Sequence, residues 1–175
     1  MILLVEDNED HAEIVMRGFK AHQLAEPIHH VTDGETALDY LLRRGEYVDP
    51  EKSPRPRLIL LDLRLPKVDG LEVLKEIKQN EELRGIPVVI LTSSQAGNDV
   101  RMACDYHANS YVVKPLEFKK FTELIRDLGY YWLDWNVNLG LQDASAEKRA
   151  SELTICIPGE STEDEKGSRK EAESA

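Results

Sequence analysis

Through about residue 129 the chain alternates compact apolar blocks with amphipathic stretches. Ile2-Leu3-Leu4-Val5, Leu58-Ile59-Leu60-Leu61 and Val88-Val89-Ile90-Leu91 contain nothing polar, as expected of short strands buried on both faces. Ile28 to Thr32 and Tyr111-Val112-Val113 read as two further strands. Between them, Asp10 to Leu24 carries Ile14, Val15 and Phe19 at helical spacing. Further helical stripes are Ala37, Leu38, Leu41 and Leu42; then Leu71, Leu74 and Ile77; then Phe118, Phe121, Ile125 and Leu128. A weaker one runs from Asn98 to Tyr106. Gly45 to Arg57, with Pro50, Pro54 and Pro56, reads as a loop, as does Pro66 to Gly70.

Five buried strands separated by helices predict an α/β domain with a parallel sheet covered on both faces. Crossovers in such sheets are right-handed, and ligands collect at the carboxyl ends of the strands. The residues just after each strand are therefore where chemistry is expected.

From residue 137 the pattern is lost. Residues 137–175 hold nine acidic and five basic residues, many Ser and Ala, and no aromatics, which predicts a disordered acidic tail. Its one apolar island is Leu153 to Ile157, which could add a strand to a sheet edge. Over the whole chain, 41% hydrophobic and 31% charged residues fit a globular domain, and the formal charge of −11 disfavours nucleic acid and anionic membrane surfaces. Cys104 and Cys156 have no metal-ligand spacing, and the first apolar run stops at Glu6, too short for a signal-peptide core. A cytoplasmic location is expected.

Polar residues close four of the strands: Glu6-Asp7, Asp62, Thr92-Ser93 and Lys114-Pro115. Each alone has a bland reading, as a helix cap, a turn residue or a solvated lysine. On one rim of a parallel sheet, however, three carboxylates would crowd together. At ~5 Å and an effective dielectric of ~20, each pair repels by roughly 3 kcal/mol. A hard divalent cation relieves this, and Mg²⁺ favours one or two carboxylates, waters and a phosphate oxygen. Lys114 adds a positive charge and Thr92 a hydroxyl, a set suited to a phosphoryl group on a carboxylate.

Over Met1 to about Leu128 these residues resemble the receiver domains of two-component response regulators. The matching motifs are LLVEDN (Leu3 to Asn8), LLDLRLPKVDG (Leu60 to Gly70), VVILTSS (Val88 to Ser94) and YVVKP (Tyr111 to Pro115). The resemblance implies a doubly wound, flavodoxin-like sheet of order 2-1-3-4-5. It divides the chain into a receiver domain at 1–129, an aromatic extension at 130–136 and the tail at 137–175. It makes Asp62 the phosphoacceptor, loaded by a sensor histidine kinase. Asp7, Asp62 and the backbone carbonyl of Arg64 would bind Mg²⁺, with Glu6 acting through water. Lys114 would hold a phosphoryl oxygen, Thr92 and Tyr111 would switch, and Pro115 would be a structural cis proline. His11, Ile14, Val15 and Gly18 on the first helix would meet the kinase, although Ile14 and Val15 also suit the core.

The long Gly45 to Arg57 loop and the Tyr130 to Trp135 aromatic run are similar to a narrower group, the small single-domain regulators of bacterial phytochrome kinases. A bacteriophytochrome is thus one implied partner. Arg64 and Ser93 are larger than the residues many family members carry at those positions. Tyr130, Tyr131, Trp132 and Trp135 either pack on the chain's own last helix or form a homodimer contact, the reading favoured here. The histidines lie on different elements and read as surface or packing residues. Two other functions are weighed. A degenerate binding scaffold is disfavoured by the complete set Asp7, Asp62, Thr92 and Lys114. An aspartyl phosphatase of the haloacid-dehalogenase kind would carry a second Asp where Arg64 stands.

Overall fold

The computed structural model describes residues 1–21 and 26–136. The expected tail at 137–175 with its apolar island, and the end of the first helix beyond Ala21, lie outside the described residues. The strands are β1 (Ile2–Val5), β2 (Ile28–Val31), β3 (Leu58–Leu61), β4 (Val88–Thr92) and β5 (Ser110–Val113). The helices are α1 (Glu9–Ala21), α2 (Gly34–Leu42), α3 (Gly70–Gln79), α4 (Gly97–Asp105) and α5 (Phe118–Gly129). A π-helical turn, Tyr130–Trp135, continues α5.

All pairings are parallel, in the order β2-β1-β3-β4-β5, as expected. Side chains of successive strand residues alternate between the two faces, and both faces are covered. Leu3, Val5, Ile59, Leu61, Val88 and Ile90 pack with residues of α2 and α3 and with Ala103 of α4. Ile2, Leu4, Leu58, Leu60, Val89 and Leu91 pack with Ala12, Val15 and Phe19 of α1 and Phe121 and Ile125 of α5. This is why β1 and β3, at the centre of the sheet, are apolar at every position rather than at every second one.

Helix starts follow the polar residues that precede them. The Asp33 carboxylate accepts from Thr36 N (2.8 Å) at the head of α2, and Asp69 accepts from Leu71 N (2.9 Å) at the head of α3. Asn8 Oδ1 accepts from His11 N (3.0 Å) at the head of α1. Gly70 begins α3 against the end of β3, where a Cβ would stand 2.1 Å from the Asp62 carbonyl oxygen and 2.6 Å from Leu63 Cα. Only glycine lets the helix approach that closely.

The Gly45 to Arg57 segment, expected as a plain loop, contains a 3₁₀ turn at Gly45–Tyr47 and is tied to the domain. Buried Ser53 donates to Tyr47 O (2.8 Å), Tyr40 donates to Pro54 O (2.8 Å), and Arg55 bonds Leu41 O. Among the described residues no helix is long and apolar enough to cross a membrane.

Candidate functional site

Val5, the last residue of β1, stands opposite Leu61, the last of β3, so the residues that follow emerge side by side on one rim. Asp62 N donates to Val5 O (3.0 Å), continuing the ladder one residue past β3. As a result Glu6, Asp7 and Asp62 each bring a carboxylate oxygen to within 4.8 Å of the others. Glu6 and Asp62 are buried, whereas Asp7 faces solvent.

β4 and β5 deliver the cation. Lys114 N donates to Thr92 O (2.8 Å), carrying the strand pairing past Val113. From there the buried ammonium reaches Asp62 Oδ2 at 2.6 Å and Glu6 Oε2 at 2.5 Å. The second Asp62 oxygen, Oδ1, accepts from Leu63 N (2.6 Å) and Arg64 N (3.3 Å). Burial raises the Glu6 carboxyl above its ordinary value of 4.5; the Lys114 ammonium opposes that without cancelling it, and the Asp62 charge adds to it. One ammonium among three carboxylates leaves an excess of negative charge in a low-dielectric pocket. Hard oxygen donors at this spacing fit a divalent cation of the magnesium or manganese kind.

Thr92 is fully buried, and its Oγ1 accepts from Ser94 N (3.3 Å). Tyr111 is half-buried and donates to Ser94 O (3.0 Å). Burial raises its phenol above the usual 10.0. One expectation is overturned. No peptide bond among the described residues is cis, so Lys114–Pro115 is trans. Trans is the lower-energy isomer of an X–Pro bond by about 0.5–1 kcal/mol. Lys114 reaches the two carboxylates with the bond in that form, and Leu116 next to it is fully exposed.

Two neighbours of the site were not expected from the residues alone. His11, read as a surface or packing residue, places Nδ1 3.2 Å from Glu6 Oε1 and 3.4 Å from Lys114 Nζ. Its position one turn after Asp7, in the first turn of α1, is the one signal in the sequence, and it does not fix the direction of the ring. Asp99, in the first turn of α4, is buried and bonds Arg64 Nη2 (2.5 Å) and Ser94 Oγ (2.5 Å). The sequence offers no comparable pointer to Asp99.

The aromatic extension is packed on one side and exposed on the other. Trp132 packs on the core face shared by α1 and α5, and Leu133 beside it is buried. Tyr130 and Tyr131 are exposed. Tyr131 meets Trp132 edge to face at 5.1 Å, beside a cleft of about 390 Å³ lined in part by Asn109, Leu124 and Asp127. The Trp135 side chain lies outside the described residues.

Residues 2–126 match the family model described as "Response regulator receiver domain". The chain is 48% identical over 141 residues to the "Probable methanogenesis regulatory protein FilR2" of Methanothrix harundinacea, covering 80% of this chain and 88% of that protein. It is 42% identical over 134 residues to the response regulator Rcp1 of Synechocystis, covering 77% and 89%. The Mn²⁺-bound crystal structure of Rcp1 superposes with a TM-score of 0.73 at 41% identity, over 77% of this chain and 95% of that one. The phosphorylated cyanobacterial phytochrome response regulator RcpA gives a TM-score of 0.73 at 37% identity, over 76% and 93%. The similarity therefore includes small regulators of phytochrome signalling, and the matched family acts as a signalling switch whose acidic pocket takes a divalent metal. The chain belongs to the response regulator receiver domain family.

Proposed function

We propose that this chain is a phosphorylation switch in which Asp62 takes a phosphoryl group from a phosphohistidine of a sensor kinase. A carboxylate oxygen of Asp62 forms the new P–O bond as the P–N bond to the histidine breaks, and the imidazole leaves with the electron pair. The observation that carries this reading is the hold on Asp62: Lys114 pairs with one oxygen and backbone N–H groups with the other, beside two further carboxylates. Asp7, Asp62 and the Arg64 backbone carbonyl would bind Mg²⁺, with Glu6 acting through water. When bound, the ion neutralises charge on the phosphoryl oxygens. Lys114, already within 2.6 Å of Asp62, stays with the phosphoryl group and offsets its charge. The same residues assist hydrolysis of the acyl phosphate by water.

Signalling follows from a population shift. Thr92 turns its hydroxyl to the phosphoryl oxygen, and Tyr111 gives up Ser94 O for the space left behind. Output is by protein contact in the cytoplasm. The kinase is proposed to be of the bacteriophytochrome type, on the likeness to the bacteriophytochrome response regulators RtBRR and AtBRR, and to dock on His11 and neighbouring parts of α1. Exposed Tyr130 and Tyr131 support a homodimer contact.

Acetyl phosphate with Mg²⁺ tests the core of this reading. The intact chain should gain the mass of one hydroxylamine-labile phosphoryl group, and Asp62→Ala should gain none. Labelling that survives Asp62→Ala, or no labelling from acetyl phosphate or a kinase, overturns it.

A further inference from the structure

A single carboxylate joins the phosphoacceptor loop to α4. Asp99 is 7% exposed, yet its Oδ2 takes both Arg64 Nη2 and Ser94 Oγ at 2.5 Å. Ser94 in turn accepts from Ala96 N (3.3 Å) through its Oγ, donates its N–H to Thr92 Oγ1 (3.3 Å), and offers its carbonyl to Tyr111 (3.0 Å). Asp99 therefore fixes the first turn of α4, the β4–α4 connection and the Tyr111 ring at once. Its charge is compensated from the solvent side by Arg64, whose side chain is 57% exposed. Asp69 lies farther from that guanidinium, at 3.9 Å. A buried carboxylate stripped of its cation is strongly destabilised, so this network depends on where Arg64 is held.

Arg64 is also two residues beyond Asp62, and its backbone N–H already touches Asp62 Oδ1 (3.3 Å). A phosphoryl group on Asp62 adds about −1.5 to −2 of charge and three acceptor oxygens. We propose that Asp99 is a positioning residue that holds the Arg64 guanidinium in the phosphoryl-free state, and that a phosphoryl group on Asp62 draws Arg64 off it and releases the first turn of α4. The proposal rests on Asp62 being the phosphoacceptor. The latch is a cost the phosphorylated state must overcome, and weakening it must strengthen phosphoryl binding by the same factor.

The probe is beryllofluoride with Mg²⁺, a phosphoryl mimic, titrated calorimetrically into the full chain. Asp99→Asn keeps an acceptor for Ser94 but removes the charge that holds Arg64. It should bind the mimic more tightly than the parent chain by roughly 5- to 150-fold, the usual span of coupling between linked sites. A merely structural role for Asp99 gives equal or weaker binding, and that result overturns the latch. A readout on the unsubstituted chain covers the case in which Asp99→Asn does not fold. The Arg64 side-chain NH and Asp99 carboxyl NMR signals should both move on saturation, and static signals overturn the proposal. If the parent chain does not bind beryllofluoride at all, the phosphoacceptor reading fails with it, whereas binding without coupling removes the latch alone.

Discussion

Lys114 Nζ sits between Asp62 and Glu6, 2.6 Å from one carboxylate and 2.5 Å from the other, with all three side chains buried. Replacing it with alanine leaves two buried carboxylates facing each other without a cation. Loss of one partner from such a pair costs about 3–5 kcal/mol. Lys114→Ala should therefore lower the urea-unfolding free energy by about that much in chelator. Added Mg²⁺ should restore part of it, because a dication in the same pocket replaces the missing charge. An equal loss with and without metal would show that the carboxylates do not share an ion.

The same excess of negative charge makes metal binding a stability term. Ligand bound only by the folded chain adds about 2.7 kcal/mol at one hundred times its dissociation constant. Mg²⁺ should raise the melting temperature in proportion, and Mn²⁺ should do the same. Asp7 is the exposed member of the trio, so Asp7→Asn should leave the metal-free melt nearly unchanged while abolishing most of the metal-dependent rise. A full rise in Asp7→Asn would place the ion elsewhere.

Gly70 supports the site from below. An alanine methyl there would meet the Asp62 carbonyl oxygen at 2.1 Å and Leu63 Cα at 2.6 Å, both backbone atoms that cannot turn aside. Gly70→Ala should cost stability at the upper end of the ~1–3 kcal/mol typical of overpacking. It should also lower the rate of acetyl phosphate labelling, because the strain falls on the acceptor's own peptide. Labelling at the parent rate would show that the loop relaxes elsewhere.

Much of this was legible in the residues because parallel sheets write themselves plainly. Runs such as Leu58 to Leu61 can only be buried on both faces, and the polar residue after each run must then lie on the rim. Glu6, Asp62, Thr92 and Lys114 follow from that rule. Contacts set by side-chain reach do not. The Arg64–Asp99 pair joins the loop after β3 to the first turn of α4, and nothing local marks either residue for the other. His11 was hidden for a related reason, since its direction depends on how α1 leaves the sheet. The cis form of the Lys114–Pro115 bond was carried over from the resemblance, whereas isomer state is set by each chain's own tertiary context. In the Gly45 to Arg57 segment the prolines announced a loop, but its anchoring to Tyr40 and Leu41 depends on distant backbone carbonyls.

Tyr40 gives that anchoring a pH signature. Its ring is fully buried and its hydroxyl donates to Pro54 O (2.8 Å), and burial pushes the phenol up to about 12 from 10.0. The folded value lies above the unfolded one, so its contribution is intact below pH 10 and is lost as pH rises toward about 12. Tyr40→Phe should cost about 1 kcal/mol near neutrality through the lost hydrogen bond. It should also flatten the alkaline limb of a stability–pH curve across that window. An unchanged alkaline limb would assign the loss to other groups.

The proposed homodimer contact lies on the aromatic extension, and the way Trp132 and Leu133 pack decides how it must be tested. Truncation before Tyr130 would strip both from the core face shared by α1 and α5, confusing dissociation with unfolding. Tyr131→Ser is cleaner, because that ring is 56% exposed and its substitution leaves the buried face in place. Aromatic anchors at the centre of an interface commonly carry about 2 kcal/mol each, and a symmetric dimer loses the anchor from both protomers, so its dissociation constant rises by about several hundredfold. At low micromolar concentration, light scattering should therefore read a dimer mass for the parent chain and approach the monomer mass for Tyr131→Ser, with the melting curve of the fold retained. A monomer mass for the parent chain, before and after beryllofluoride, would remove the homodimer contact.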